Sequence, residues 1–215
     1  IIWGSIAADS YVRKEINALR NGNFESGTGG AAPDHWAFNN TGTGACTITT
    51  STVHAGSNSL RLDAGSGQAF LYQTILAAPG EYRRVAAFAR DSTTGVLGFV
   101  IQNLKTGKYW DGSTWVSSFS VVSIPLTGSY VENSEEYQVE DELTCMSSEV
   151  TIRVGFYCSS GVALIDNAWD VPGVNFVGVF GHNLGPVVVP TIKSVDYAAT
   201  TTRDTMILRR GAFKS

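Results

Sequence analysis

The stretch "TIRVGFYC" (151–158) constrains the fold more than any other. Ile152, Val154, Phe156 and Cys158 alternate with Thr151, Arg153 and Tyr157. Successive side chains of a strand point to opposite faces, so this pattern describes a strand with one buried and one wet face, the habit of antiparallel sheets. "SLRLDA" repeats it with Leu60 and Leu62 against Arg61 and Asp63, and "EYQVE" with Tyr137 and Val139 against Glu136, Gln138 and Glu140. Further strand-like runs fall at 45–50, 68–75, 82–90, 95–103, 114–119 and 161–168. The turn signals "HAGSN", "APGE", "TTG", "KTGK", "WDGS" and "SSG" lie among them. Eight or nine short strands at this spacing predict an all-β chain folded as an antiparallel β-sandwich or jelly roll.

Composition agrees and removes several classes of function. Of the 215 residues 43% are hydrophobic and only 16% charged, enough to bury a sizeable core. A net charge of −4 gives no basic footprint for nucleic acid or an anionic membrane surface. No apolar run approaches the roughly 20 residues of a spanning helix, so membrane insertion is not expected. Cys46, Cys145 and Cys158 lack CxxC or His-rich spacing and suit buried thiols better than a zinc site or a disulfide framework, although one pair could still bridge.

Three segments differ in character. Residues 1–20 read as an N-terminal arm in which "ADSYVRKEINALRN" could form a short helix, 21–170 as the jelly roll, and 171–215 as apolar strands and an extended, mildly basic arm. "VVVP" and "MILRR" are too apolar for a free tail, so the expectation is an arm ordered against a neighbouring subunit.

Catalytic signals are weak. A glycosidase needs two carboxyls facing one another across a cleft. Here Glu132, Glu135, Glu136, Glu140, Asp141 and Glu142 cluster in one loop and edge strand and read as a solvated acidic face. His35, His54 and His182 sit in loops without a G-x-S-x-G or H-E-x-x-H context. No catalytic residues and no enzyme activity are expected. Sugar-binding proteins stack sugar rings on exposed aromatics. Tyr109, Trp110 and Trp115 in "KYWDGSTW" are the candidates for glycan binding, with Trp36 and Tyr72 as further aromatics, and the D-G turn puts Tyr109 or Trp110 near a hairpin tip. Core packing is the competing reading; it is favoured for Trp36 and Trp115 and left open for Trp110.

Four motifs occur in order: "NGNFESGTGGAAPDHWAF" (21–38), "STVHAGSNSLRLDAG" (51–65), "PGEYRRVAAFAR" (79–90) and "GVALIDNAWDV" (161–171). Together they resemble the galactose-binding-like jelly rolls of xylanase-associated carbohydrate-binding modules, a type also found in bacteriophage virion surface and tail proteins. "YWDGSTW" and "NFVGVFGHNLG" are similar to segments of such phage proteins. The resemblance implies a structural calcium ion between Glu25 and Asp166, with carbonyls near Gly56 to Ser59 completing the oxygen shell. The alternative at this point is that both carboxylates bond backbone amides and pin the domain's ends together. No cofactor is otherwise required. The resemblance further implies a noncatalytic phage virion structural protein, a capsid decoration or tail component on the virion surface. Its arms would hold it to other virion subunits, as a homo-oligomer, and its jelly roll could meet host surface glycan. The second reading is the carbohydrate-binding module of a secreted polysaccharide hydrolase.

Overall fold

The computed structural model describes residues 17–28, 30–140 and 149–172, with the backbone of 191–195 and 202–207. The chain divides into two compact units, Ile1–Asn175 and Phe176–Ser215. The first carries ten strands: β1 (Ala37–Thr41), β2 (Ala45–Thr49), β3 (Ser59–Asp63), β4 (Gln68–Ala77), β5 (Tyr82–Asn103), β6 (Tyr109–Trp110), β7 (Trp115–Val116), β8 (Val122–Ile124), β9 (Val131–Gln138) and β10 (Val150–Pro172). In the second unit β11 (Thr191–Val195) and β12 (Thr202–Ile207) form an antiparallel pair that sets Ile192 opposite Met206.

The antiparallel jelly roll is organised by two long strands. β5 has 22 residues and β10 has 23, and they pair antiparallel from Ile152↔Asn103 to Pro172↔Arg83. The first half of β10 lies between β4 and the end of β5, which also pairs β8 and β6. Its second half lies between β3 and the start of β5, which also pairs β9. With β1 beside β4, β2 beside β3 and β7 beside β6, one curled sheet makes both layers.

Separate strands were expected at 82–90 and 95–103, and again at 151–158 and 161–168. Each pair is one continuous strand, because "TTG" and "SSG" are bends within the ladder rather than hairpin turns. The register slips between Cys158 and Ser160 and between Val162 and Ala163, while Thr94 (φ 46°) and Gly161 (φ 64°) take the left-handed conformation. Slips of this kind bend and twist a pair without ending it. A Cβ on Gly161 would stand 2.3 Å from the Thr93 carbonyl oxygen, so this corner requires glycine.

The alternating patterns resolve as the sequence predicts. Leu60, Leu62, Ile152, Val154, Phe156, Cys158, Tyr137 and Val139 are all buried. Trp36 is core as well: it packs on Phe24 and Phe156, with ring centroids 5.4 and 5.9 Å away, and its indole N–H donates to the Asn21 carbonyl. Cys46 and Cys158 are free buried thiols, and burial pushes Cys46 up to about 12. Cys145 and His182 lie outside the described residues, as does nearly all of the expected N-terminal helix. Residues 17–22 run along the end of β10. Ala18 N–H donates to the Asp170 carbonyl at 2.8 Å, Ala168 N–H donates to the Gly22 carbonyl at 2.7 Å, and the Asn17 side chain bonds both Ala168 and Asp170.

Below that end is a buried polar group. Asp170 is fully buried; one carboxylate oxygen accepts from Arg83 Nε at 2.6 Å and the other accepts the Tyr137 hydroxyl at 2.8 Å. Glu81 stands 3.3 Å from the same guanidinium. Burial pushes the Asp170 carboxyl up to about 6, against the pull of Arg83 and the Tyr137 hydroxyl. Burial also works against the Arg83 cation, but Asp170 beside it outweighs that and raises it further.

Removing one partner of a buried ion pair strands the other, at a cost of about 3–5 kcal/mol. Asp170→Ala is therefore expected to lower the urea midpoint by that equivalent. Because the folded pKa of about 6 exceeds the ordinary aspartate value of 3.8, the group's contribution to stability is full below pH 3.8 and is lost as pH rises through 6. The Asp170 carboxyl carbon should titrate in NMR with a midpoint near 6; a midpoint near 3.8 would contradict this account.

Candidate functional site

The outward face of the first layer is built from alternate residues of adjacent strands. Phe70, Tyr72, Thr74 and Leu76 of β4 lie on it, since Ala69, Leu71, Gln73 and Ile75 point inward. On β10 the register places Tyr157 beside Phe70, Gly155 beside Tyr72 and Arg153 beside Thr74. On β5 it places Gly98 beside Tyr157 and Gln102 beside Arg153, and Gln102 in turn faces Tyr109 of β6.

These side chains form an aromatic row. Phe70 and Tyr72 have centroids 4.8 Å apart; Tyr157 and Phe119 meet edge to face at 5.1 Å, and Phe119 meets Tyr109 at 5.2 Å. Phe119 is 51% exposed. The Arg153 guanidinium sits 4.4 Å from the Tyr72 ring centroid, and its Nη1 donates to Gln102 Oε1 at 3.0 Å. Gly155 makes the floor: a Cβ there would stand 2.7 Å from Tyr72 Cα and Cβ, so glycine lets the ring lie across β10. Apolar rings with a few aligned polar groups are the equipment for holding a sugar, whose C–H face stacks while its hydroxyls bond at the rim.

The structure separates the three aromatics singled out in "KYWDGSTW". Tyr109 joins the row. Trp110 and Trp115, paired across the hairpin at 5.8 Å, turn to the opposite side and pack partly buried against the core. Their indole N–H groups donate to Glu135 Oε1 at 2.6 Å and to the Gln138 carbonyl at 2.8 Å. The acidic strand is largely engaged: Glu132 bonds Arg84, Glu140 bonds Lys108 and Thr106, and Glu135 bonds Trp110. Sequence reasoning missed Phe70, Tyr157, Arg153 and Gln102 as a group. Their shared signal is the outward phase of three strands, which shows only once β4, β10 and β5 are known to be neighbours.

Glu25 and Asp166 hold the 54–58 turn from its two ends. Asp166 Oδ2 accepts from His54 N at 2.9 Å and Ala55 N at 3.1 Å, and Oδ1 accepts from Asn167 N at 2.7 Å. Glu25 Oε1 accepts from Ser57 N at 2.8 Å and Asn58 N at 3.1 Å, and Oε2 accepts from the Asn58 amide at 3.2 Å. The His54 ring stacks on Phe88 at 3.7 Å and edges Tyr130 at 5.6 Å, a packing role. Burial raises the Asp166 carboxyl, and the amides of Ala55, His54 and Asn167 oppose it. Calcium requires six to eight oxygens around it. This turn directs N–H groups at both carboxylates, so as arranged the donor set does not fit that ion. Among the described residues no three His, Cys, Asp or Glu side chains group closely enough to hold a metal.

Charge-assisted bonds to backbone amides are worth about 1.5–3 kcal/mol each, and leaving the donors unmet costs more than replacing both partners. Asp166→Ala is therefore expected to lower the unfolding free energy by about 2–4 kcal/mol, read by chemical denaturation. Chelator added to the parent protein should leave its melting temperature unchanged. A fall of several degrees, absent in Asp166→Asn, would instead establish a calcium clasp.

No protein-family model matches the chain, and no curated protein matches it in sequence. Solved structures do share its fold. The enzymatically active domain of bacteriophage CBA120 tailspike protein 4 aligns over 74% of this chain at 20% identity and a TM-score of 0.52; the chain spans 22% of that structure's length. A Stig cyclase from Fischerella sp. TAU, in complex with (3Z)-3-(1-methyl-2-pyrrolidinylidene)-3H-indole, aligns over 73% of this chain and 96% of its own at 13% identity and a TM-score of 0.53. TmCBM61, solved in complex with β-1,4-galactotriose, covers 74% of this chain and 99% of its own at 17% identity and a TM-score of 0.48. The body of this chain is an antiparallel jelly roll, the fold it shares with the tailspike domain and the cyclase.

Proposed function

We propose that the protein is a noncatalytic glycan-binding jelly roll displayed on a bacteriophage virion surface. The observation that carries the glycan half is the aromatic row of Tyr72, Phe70, Tyr157, Phe119 and Tyr109 on an open sheet face. Polar groups stand beside the rings at the right scale: Gln102, Arg153 and Asn39, the last facing Phe70 from β1. Leu76 and Val96, both more than half exposed, extend the apolar surface on the same face. A sheet that only covered a core would not need that much ring surface in water.

Two observations support a binding rather than a catalytic role. The strand residues of this face include no carboxylate, whereas sugar hydrolysis needs a pair of them. The described acids in and beside the candidate hairpin are already bonded: Asp111 to Ser113 and Thr114, Glu135 to Trp110, and Glu140 to Lys108 and Thr106. The phage half rests on the phage-like sequence segments and on the fold shared with the tailspike domain. In this reading the second unit, with its β11–β12 pair, is the attachment element and joins the jelly roll to other virion subunits. An open strand edge can dock by extending a neighbour's sheet through main-chain hydrogen bonds.

Tyr157→Ala should weaken retention on a cognate oligosaccharide column about tenfold, the equivalent of about 1.4 kcal/mol. Trp115→Ala should lower the melting temperature more than it lowers retention. Equal loss from both variants, or none from Tyr157→Ala, would contradict the assignment of the face. Removal of 176–215 should preserve the thermal transition of the jelly roll and abolish incorporation into particles. Normal incorporation would rule out the attachment role.

A further inference from the structure

We propose that this face selects acidic glycans, with Arg153 and Arg20 receiving sugar carboxylates beside the aromatic row; the inference rests on the glycan-binding reading above. Five of the six described arginines fall into contrasting sets; the sixth, Arg90, donates its Nε to the Asp91 carbonyl and stands over the Tyr130 ring, away from this face. Arg61, Arg83 and Arg84 each pair with a carboxylate, Asp63, Asp170 and Glu132 respectively. Among the described residues no carboxylate pairs with Arg153 or Arg20. Arg153 spends one N–H on Gln102; among the described residues its Nη2 has no acceptor and its buried Nε no hydrogen-bond partner. Buried donors are nearly always satisfied, and an unmet one on a ligand face marks a group arranged for an incoming acceptor.

A second cation lies on the other side of β4. Arg153 is in register with Thr74. Thr74 lines a cavity of about 410 Å³ together with Arg20, His35, Gln73 and Leu76. β1 ends its pairing at Ala37↔Tyr72, so β4 beyond Tyr72 has no strand on that side and the cavity occupies the gap. The buried Gln73 amide substitutes for the missing strand. Its oxygen accepts from Arg20 N at 3.0 Å and its nitrogen donates to the Arg20 carbonyl at 2.6 Å, which fixes Arg20 at the cavity. Arg153 and Arg20 thus flank Thr74, with His35 between loop and cavity. Of the described acids close in sequence, Glu149 precedes the first residue of β10, Asp34 bonds Ser26 and Glu25 bonds the Ser57 and Asn58 amides.

The chemistry that matches this is a ring to stack and a carboxylate to receive a guanidinium fork, as a uronic acid provides. Arg pairs with planar carboxylates bidentately, and the pair gains strength where the cation is already held against an aromatic plane. A neutral sugar would stack equally well but would leave both guanidinium groups without an anion. The chain's overall negative charge disfavours polyanions in general, so recognition would depend on these two local cations.

The test is calorimetric titration of the full chain with galacturonate, glucuronate and mannuronate oligosaccharides and with their carboxyl-reduced, neutral counterparts. At least one uronate is expected to bind tenfold or more tightly than its reduced form. Arg153→Gln should erase that preference and Arg20→Gln should reduce it, each with an unchanged melting transition; Arg153→Lys should restore part of it. Equal binding of acidic and reduced forms by the parent chain would overturn the proposal, as would a preference that survives Arg153→Gln. If a neutral oligosaccharide binds and Tyr157→Ala removes it, the face remains a glycan site and only the acidic selectivity falls. If no oligosaccharide of either kind binds, both readings fall.

Discussion

Everything in the jelly roll depends on the pairing of β5 with β10. These two strands belong to both layers, so their bend decides where the layers lie and which residues meet across them. The slips near Cys158 and Val162 let the ladder change direction while its hydrogen bonds continue. Before the bend, β10 supplies Arg153, Gly155 and Tyr157 to the aromatic face; beyond it, the same strand supplies Asp166 to the 54–58 turn and Asp170 to the buried pair with Arg83. The aromatic face and the two polar anchors therefore draw on successive stretches of one strand.

The two anchors work differently. Asp170 is enclosed with Arg83 and Tyr137 and meets residues 17 and 18 through its backbone, so it ties the entry of the chain to the end of β10. Asp166 and Glu25 act on backbone amides and hold a turn that has no ladder of its own. A carboxylate surrounded by N–H groups has the positive partial charge it needs from peptide dipoles.

Much of the fold could be read from the residues. The alternation in "TIRVGFYC" and "EYQVE" assigned inward and outward side chains as the structure has them, and "HAGSNSLRLDAG" was recognisable as a turn held near Glu25 and Asp166. The two long strands were not legible, because a Thr-Gly or Ser-Gly pair has the same composition whether the chain reverses or merely bends. The binding face was legible only in part. Tyr72 and Tyr109 stood out as aromatics, but attention fell on Trp110 and Trp115, whose indole N–H groups turn out to be bonded into the edge of the body. Phe70 lies 83 residues from Arg153 and 87 from Tyr157 in sequence, and they become neighbours only through strand order, which alternation within one strand cannot reveal.

The central claim is that the outward face of the β1–β4–β10–β5 layer holds glycan. Its most direct test is NMR of the isotopically labelled full chain titrated with a uronate oligosaccharide. The account predicts shift changes concentrated at Phe70, Tyr72, Gln102, Arg153 and Tyr157, with the Trp110 and Trp115 indole N–H signals and the 54–58 amides unmoved. Changes centred on the two indoles or on the turn, with the sheet face silent, would contradict it.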